Sequence, residues 1–332
     1  MLLFPDALFL LFAALIADAL IGDPDLLWRR WPHPVVLIGK LIGFLDVSLN
    51  KPVFSRGRRK LFGTLTLILL IVTGFIIGYA IDYGARLLPF GQVLTVAVAA
   101  VFLAQKSLYQ HIAAVRGGLL NDGLAGGRKA VAMIVGRDPQ TLDESGVSRA
   151  SIESCAENFS DGVVAPVFWF AVLGLPGLIA YKAVNTADSM IGHKTEQYRA
   201  FGWAAARFDD LINLPASRLS GLLIALSAPL AGGSPNKAFR TIRQDAGKHR
   251  SPNAGWPEAA MAGALDIALA GPRSYPGYTV EDPFLNANGR KAATVQDISR
   301  ALNLLKGSCV LLALFVLVLA AAIAAVNGTA VI

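Results

Sequence analysis

The chain has 332 residues, of which 54% are hydrophobic and only 16% charged, and its mean hydropathy is +0.52. Soluble domains average about 25% charged residues, so a water-soluble globule is excluded for want of surface charge and intrinsic disorder by the excess of apolar residues. The net charge of +7 fits the basic loops of a membrane protein better than a nucleic-acid partner, and the two cysteines, Cys155 and Cys309, cannot build a disulfide framework.

Residues 1–21 form an apolar run containing Asp6 and Asp18. No basic stretch precedes it and basic residues follow it, so it reads as a first span with its N-terminus outside rather than as a secretory signal. The next stretch, GDPDLLWRRWPHPVVLIGKLIG (22–43), fixes His33 between Pro32 and Pro34 and places Trp28 and Trp31 where interfacial aromatics sit. Residues 61–81 and 87–105 are uncharged, and the short 82–86 link makes them an antiparallel hairpin of two spans. Residues 106–150 alternate polar and apolar positions and read as a helical insertion, with breaks at Gly117–Gly118 and Gly126–Gly127 and a turn at Asp138–Pro139.

Residues 163–181 are uncharged but interrupted by Pro166, Gly174, Pro176 and Gly177. If this segment crosses, the polar stretch 182–210 lies outside; if it dips and returns, that stretch stays inside. Residues 219–233 contain Pro229, residues 259–270 contain Asp266, and 307–332 is a last uncharged span. Broken apolar segments of this kind are tolerated at membrane depth only against protein or a cavity. The basic loops 22–60 and 106–162 should face the cytoplasm. The expectation is an all-α polytopic integral membrane protein of the inner membrane, a single membrane domain over 1–332. It would have about five transmembrane helices, broken or re-entrant segments, a cytoplasmic helical insertion at 106–150 and a motif-bearing catalytic region at 151–292.

Polar motifs gather between residues 150 and 290. In ENFSDG (157–162), Glu157, Asn158 and Asp161 share one face of a helix, and in NTADSMIGHK (185–194) Asn185, Asp188 or Ser189, and Gly192 do the same, with His193 and Lys194 beyond. Hard oxygen ligands of this kind suit Mg2+, which binds one or two carboxylates plus substrate phosphate; the plain alternative is helix caps and ion pairs. Arg207, Asp209 and Asp210 read either as part of a site or as an ordinary charged helix end. In DAGKHRSPNAGWPEAAMAGAL (245–265), Lys248, His249 and Arg250 precede a helix start at Pro257–Glu258, which reads as an anion site or as a solvated basic patch. Glu281 and Asp282 are acids of a second site or plain loop residues. No dinucleotide fingerprint or GxxxxGK[ST] loop occurs.

GDPDLLWRRWPHPVVLIGKLI, ENFSDGVVAPVFW, NTADSMIGHK, FGWAAARFDDLINLPASRLSGLL and SPNAGWPEAAMAGAL, in that order, resemble the adenosylcobinamide-phosphate synthase family of cobalamin biosynthesis. The resemblance implies an ATP-dependent carbon–nitrogen ligase that joins adenosylcobyric acid to (R)-1-aminopropan-2-ol phosphate, or to aminopropanol, with a corrinoid substrate, a bilayer and neighbouring late corrinoid-assembly enzymes as partners. Placed on the matching positions, Glu157, Asp161 and Asp188 are the expected Mg2+ ligands, and Lys194, Lys248 and Arg250 the phosphate contacts. Asp161, Asp188, His193, Lys194 and His249 form the expected catalytic set, with a histidine taking the proton of the amine. His33, Asn158, Asn185, Asn253, Trp256 and Glu258 are expected at the corrinoid, with Trp169 and Trp203 as further covers for its ring. The rival readings are an Mg2+-dependent prenyl- or alcohol-phosphate transferase, whose paired acidic repeats are missing here, and a transporter, whose inverted symmetry is not seen.

Overall fold

Among the described residues, four helical stretches are long and apolar enough to cross a bilayer: Arg56–Arg86, Gly91–Val131, Glu144–Ile191 and Val295–Val326. The computed structural model describes residues 5–135, 138–275, 278–326 and 328, most of them in helices. In chain order these are α1 (Pro5–Leu20), α2 (Asp25–Trp28), α3 (Pro34–Leu49), α4 (Arg56–Arg86), α5 (Gly91–Val101), α6 (Gln105–Val131), α7 (Glu144–Phe159), α8 (Ala165–Ile191), α9 (Trp203–Ile212), α10 (Leu214–Leu226), α11 (Pro235–Asp245), α12 (Gly255–Leu265) and α13 (Val295–Val326). A π turn, Ser160–Val164, joins α7 to α8. Between α12 and α13 lie two two-stranded antiparallel ribbons. One pairs β1 (Leu269–Ala270) with β4 (Phe284–Leu285), the other β2 (Arg273–Tyr275) with β3 (Tyr278–Val280). The chain is therefore an all-α polytopic membrane protein.

The chain packs as two units. One comprises Met1–Ala104, Ala165–Asn213 and Phe315–Ile332, the other Gln105–Val164 and Leu214–Leu314. In the first, α4 runs on through the 82–86 link expected from the apolar runs, and the turn to α5 falls at 87–90 instead. The reason is local: Arg86 bonds Asp82 at 2.8 Å, an i,i+4 pair whose cation sits at the helix C-terminus, so the link is more stable as a last helical turn.

The interrupted segment 163–181 is settled in the same unit. Gly174 has φ 67° and ψ −154°, outside the helical region, and a methyl group on Gly177 would sit 2.6 Å from the Trp169 carbonyl oxygen. Eight residues of straight helix would separate 169 and 177 by about 12 Å, so the chain doubles back at Gly174. The hydrogen bonds agree: Trp169 Nε1 donates to the Ile212 carbonyl and the Tyr181 hydroxyl bonds Asn213 Oδ1, so both arms of α8 meet adjacent residues. The returning arm lies antiparallel to α4, with Gly78 against Pro176 and Gly74 against Ala180, where added methyls would strike backbone. It ends beside the start of α4, where Gly63 abuts Phe201, Lys60 lies 3.5 Å from the centre of the Trp203 ring, and Arg59 bonds the Gln197 carbonyl. Segment 163–181 dips and returns, and residues 197–203 share one end of α4 with the basic run 56–60.

The second unit contains another doubled helix. Helix is unbroken through Gly117–Gly118 and Gly126–Gly127, where breaks were expected; the bend is at Gly123, with φ 63° and ψ −153°. The two glycine pairs serve the contact between the arms, because a methyl on Gly118 would lie 2.6 Å from the Gly126 oxygen and one on Gly126 equally close to that of Gly118. At the centre of this unit α12 is buried along its whole length apart from half-exposed Trp256, its Ala and Gly residues admitting α10 and α11 at backbone contact. The start of α13 is held by Asp297: its Oδ2 accepts from both the N–H and the hydroxyl of Thr294 at 2.9 Å, and Arg290 grips both Asp297 oxygens.

Candidate functional site

In the first unit the polar residues of 185–213 converge. The returning arm of α8 carries Asn185 and Asp188, and α9 brings Asp209 and Asp210. Asp209 is buried, accepts from Asn213 Nδ2 at 2.9 Å and from Asn185 Nδ2 at 3.4 Å, and Asn213 in turn holds the Tyr181 hydroxyl at 2.9 Å. Burial first, and then the neighbouring Asp188 charge, push the Asp209 carboxyl up to about 7, against the hydrogen bonds from Asn185 and Asn213. Asp210 is also raised by burial, with Arg207 and Lys194 pulling the other way; Arg207 Nη1 stands 3.8 Å from Asp210. Gly192 is required beside Asp188, since a methyl there would run into Asp188 Oδ1. His193 and Lys194 are exposed just past the helix end.

In the second unit Lys248, His249 and Arg250 do not form a bare cationic patch. Lys248 Nζ bonds Asp245 Oδ1 at 2.6 Å, His249 Nε2 stands 3.6 Å from Glu258 Oε1, and Arg250 Nε bonds Asp282 Oδ1 at 2.5 Å. Each successive basic residue has its own acid. The Ser251 N–H donates to His249 Nδ1 at 3.1 Å, which leaves Nε2 to carry the ring proton toward Glu258. Ser251 Oγ accepts from the N–H groups of Asn253 and Ala254, so part of the anion-binding backbone expected before α12 is already capped. Buried Asn253 takes hydrogen bonds through Oδ1 from Ser217 Oγ and Arg218 Nη1, both at 3.2 Å, and the Arg218 guanidinium lies 4.7 Å from the centre of the Trp256 ring.

ENFSDG ends the same unit's α7. The π turn at Ser160–Val164 opens the winding just where Asp161 follows Glu157, so the straight-helix face expected for these acids is offset; Glu157 and Asn158 are exposed and Asp161 is half-buried. Asn158 Nδ2 bonds Ser154 O and Oγ at 2.9 and 3.0 Å. Glu157 and Asp161 thus belong to one unit and Asp188 to the other. His33 has a local role: its Nδ1 accepts from the Val35 N–H as the N-cap of α3, and its Nε2 lies 3.6 Å from Asp23.

Asn213, Tyr181, Arg218 and Asp245 complete these clusters without having been singled out from the sequence. An Asn four residues after a paired acid, as Asn213 is to Asp209, was the available signal. The acids occur in small groups: among the described residues no three His, Cys, Asp or Glu side chains form a metal-holding group.

Residues 11–305 match the family described as CobD/Cbib protein. Curated relatives agree from end to end. The cobalamin biosynthesis protein CobD of Sinorhizobium sp is 55% identical over 316 residues, covering 94% of this chain and 98% of the relative. The proteins of the same name from Rhizobium meliloti (strain 1021) and Rhodobacter capsulatus are 53% and 45% identical, over 92% and 89% of this chain and 94% and 91% of theirs. No solved structure matches. A match over so much of its length means that the chain belongs to the CobD/CbiB family.

Proposed function

We propose that this protein is an inner-membrane enzyme of cobalamin biosynthesis that joins adenosylcobyric acid to (R)-1-aminopropan-2-ol phosphate, or to aminopropanol, at the expense of ATP. The observation that carries the reading is the family match over residues 11–305, together with the polar motifs that lie within that span. A carboxylate resists condensation with an amine at neutral pH. Transfer of the γ-phosphoryl group of ATP to a carboxylate oxygen releases ADP; the neutral amine nitrogen then attacks the carbonyl carbon, and phosphate leaves with that oxygen.

The acids of this chain fit Mg2+ held in the way nucleotide enzymes hold it, by one or two carboxylates with the remaining positions filled by substrate phosphate and water. Asp188 with Asp210 in the first unit, or Glu157 with Asp161 in the second, are the residues proposed to hold it; bound there, the ion would neutralise phosphate charge. Lys194, beside Asp210, is proposed to meet a phosphate oxygen, and His193 or His249 to accept the proton the amine must lose before it attacks. Asn253 and Trp256 of the second unit are proposed at the carboxamide rim and face of the corrin ring.

The test is product formation by membranes containing the full chain, supplied with adenosylcobyric acid, aminopropanol phosphate, ATP and Mg2+. Adenosylcobinamide phosphate should form, and omission of ATP or of Mg2+ should abolish it. Asp161→Asn should lower turnover by at least about 100-fold while the protein still inserts. Product formation without ATP, or near wild-type activity of the variant, defeats the corresponding part of the proposal.

A further inference from the structure

At the start of α4 a cavity of about 380 Å³ is lined by Arg56, Gly57, Lys60, Arg199, Ala200 and Trp203. Among the described residues, none of Arg56, Lys60 and Arg199 forms an ion pair with a carboxylate. Their neighbours are otherwise engaged: Arg58 stacks 4.3 Å from the centre of Phe54, and Arg59 bonds Asn50 Oδ1 at 2.7 Å. The opening turn of α4 has no acidic residue, although a helix N-terminus carries partial positive charge and favours anions. Cations gathered there oppose the helix dipole, and a bound anion would reverse that penalty.

The cavity stands where the uncharged run 61–81 begins. From its mouth, Leu61, Leu65 and Ile68 follow one another at i, i+4 and i+7 down α4, about half exposed at 56%, 49% and 51%. Spacing of this kind makes a continuous apolar track on one helix face. Trp203, 44% exposed beneath the Lys60 ammonium, has the amphipathic position of an interfacial indole.

We propose that this cavity is a headgroup site for an anionic phospholipid, with its phosphate among Arg56, Lys60 and Arg199 and an acyl chain along Leu61, Leu65 and Ile68. Phosphate charge and hydrocarbon are required together, and a bilayer lipid supplies both in one molecule. The inference is independent of the ligase reading and needs no substrate of that reaction.

The experiment is native mass spectrometry and thermal unfolding of the full chain in neutral detergent, titrated with phosphatidylglycerol, phosphatidylcholine or inorganic phosphate. Phosphatidylglycerol should remain bound and raise the unfolding temperature, whereas phosphatidylcholine and inorganic phosphate should not at equal concentration. The double variant Lys60→Gln/Arg199→Gln should bind phosphatidylglycerol roughly 25-fold more weakly, at about fivefold per cation removed. Lys40→Gln, an exposed cation outside the cavity, should leave the affinity within about twofold. Should the double variant fail to fold, Leu65→Gln replaces it, interrupting the track with the cations intact, and should weaken phosphatidylglycerol binding about fivefold or more. Equal binding of phosphatidylcholine, unaltered affinity in the variants, or the same stabilisation by inorganic phosphate would overturn the proposal.

Discussion

His249 Nε2 faces Glu258 Oε1 at 3.6 Å, with both side chains largely withdrawn from solvent, at 13% and 3% exposure. Glu258 belongs to the first turn of the buried helix α12, and His249 is fixed from its other side by the Ser251 N–H. Removing one partner of a buried polar pair leaves the other without compensation. Glu258→Ala should therefore lower unfolding stability by about 3 kcal/mol, and Glu258→Gln, which keeps an acceptor oxygen for the imidazole, by appreciably less. Thermal unfolding of the two variants in detergent measures the difference; equal losses would show that the pair needs the carboxylate charge and that an acceptor oxygen alone does not suffice.

Asp209 lies on α9, outside the four stretches long and apolar enough to cross a bilayer, and its carboxyl is raised from 3.8 to about 7, chiefly by burial. The folded chain thus holds this proton more tightly than the unfolded one. The stability it contributes is complete below about pH 4, declines as pH rises toward about 7 and is flat above that. Asp209→Asn should remove the decline and raise stability at pH 8 by about 2–4 kcal/mol. Unfolding temperatures across that range test it, and an unchanged slope would place the titration elsewhere.

Gly174→Ala isolates backbone from packing. The nearest atom to an added methyl is Pro176 Cδ at an ordinary 3.7 Å, so the substitution meets no clash, but φ of 67° with ψ of −154° is nearly restricted to glycine. A loss of about 1–3 kcal/mol is expected. Gly177→Ala should be worse, since its methyl would stand 2.5 Å from Leu173 Cβ and 2.6 Å from the Trp169 oxygen. Comparable stability of wild type and Gly174→Ala would mean that the segment is not held in the doubled conformation.

The doubled helix also fixes sidedness. Single cysteines at Lys51 and Glu196, both exposed, should react with a membrane-impermeant maleimide from the same side, and one at Gln92, beyond the other end of α4, from the opposite side. Lys51→Cys and Glu196→Cys reacting from different sides would require segment 163–181 to cross.

The spanning helices were legible because about 20 residues without charge have few other uses. α4 and α13 contain runs of that kind, and Pro and Gly within 163–181 announced an irregular segment without saying which way it turned. What remained hidden depends on distant partners. Asp209 and Asp210 read equally well as a charged helix end until Tyr181, 32 residues from Asn213, joins their network. The basic triplet at 248–250 looked like a free phosphate patch although Asp245 and Glu258 stand in the same stretch; only Asp282, the partner of Arg250, comes from elsewhere in the chain. The glycine pairs in α6 stand out in the sequence but not as the breaks they suggest: they permit close approach, and the turn needed only Gly123.

That triplet sets a condition on any polyanion arriving from solution. With an internal counter-ion already seated on each basic group, the newcomer must displace a carboxylate, and raising the ionic strength weakens the incumbent pairs along with the incoming one. The two effects oppose each other, so occupancy there should depend on salt far less than three adjacent basic side chains would lead one to expect.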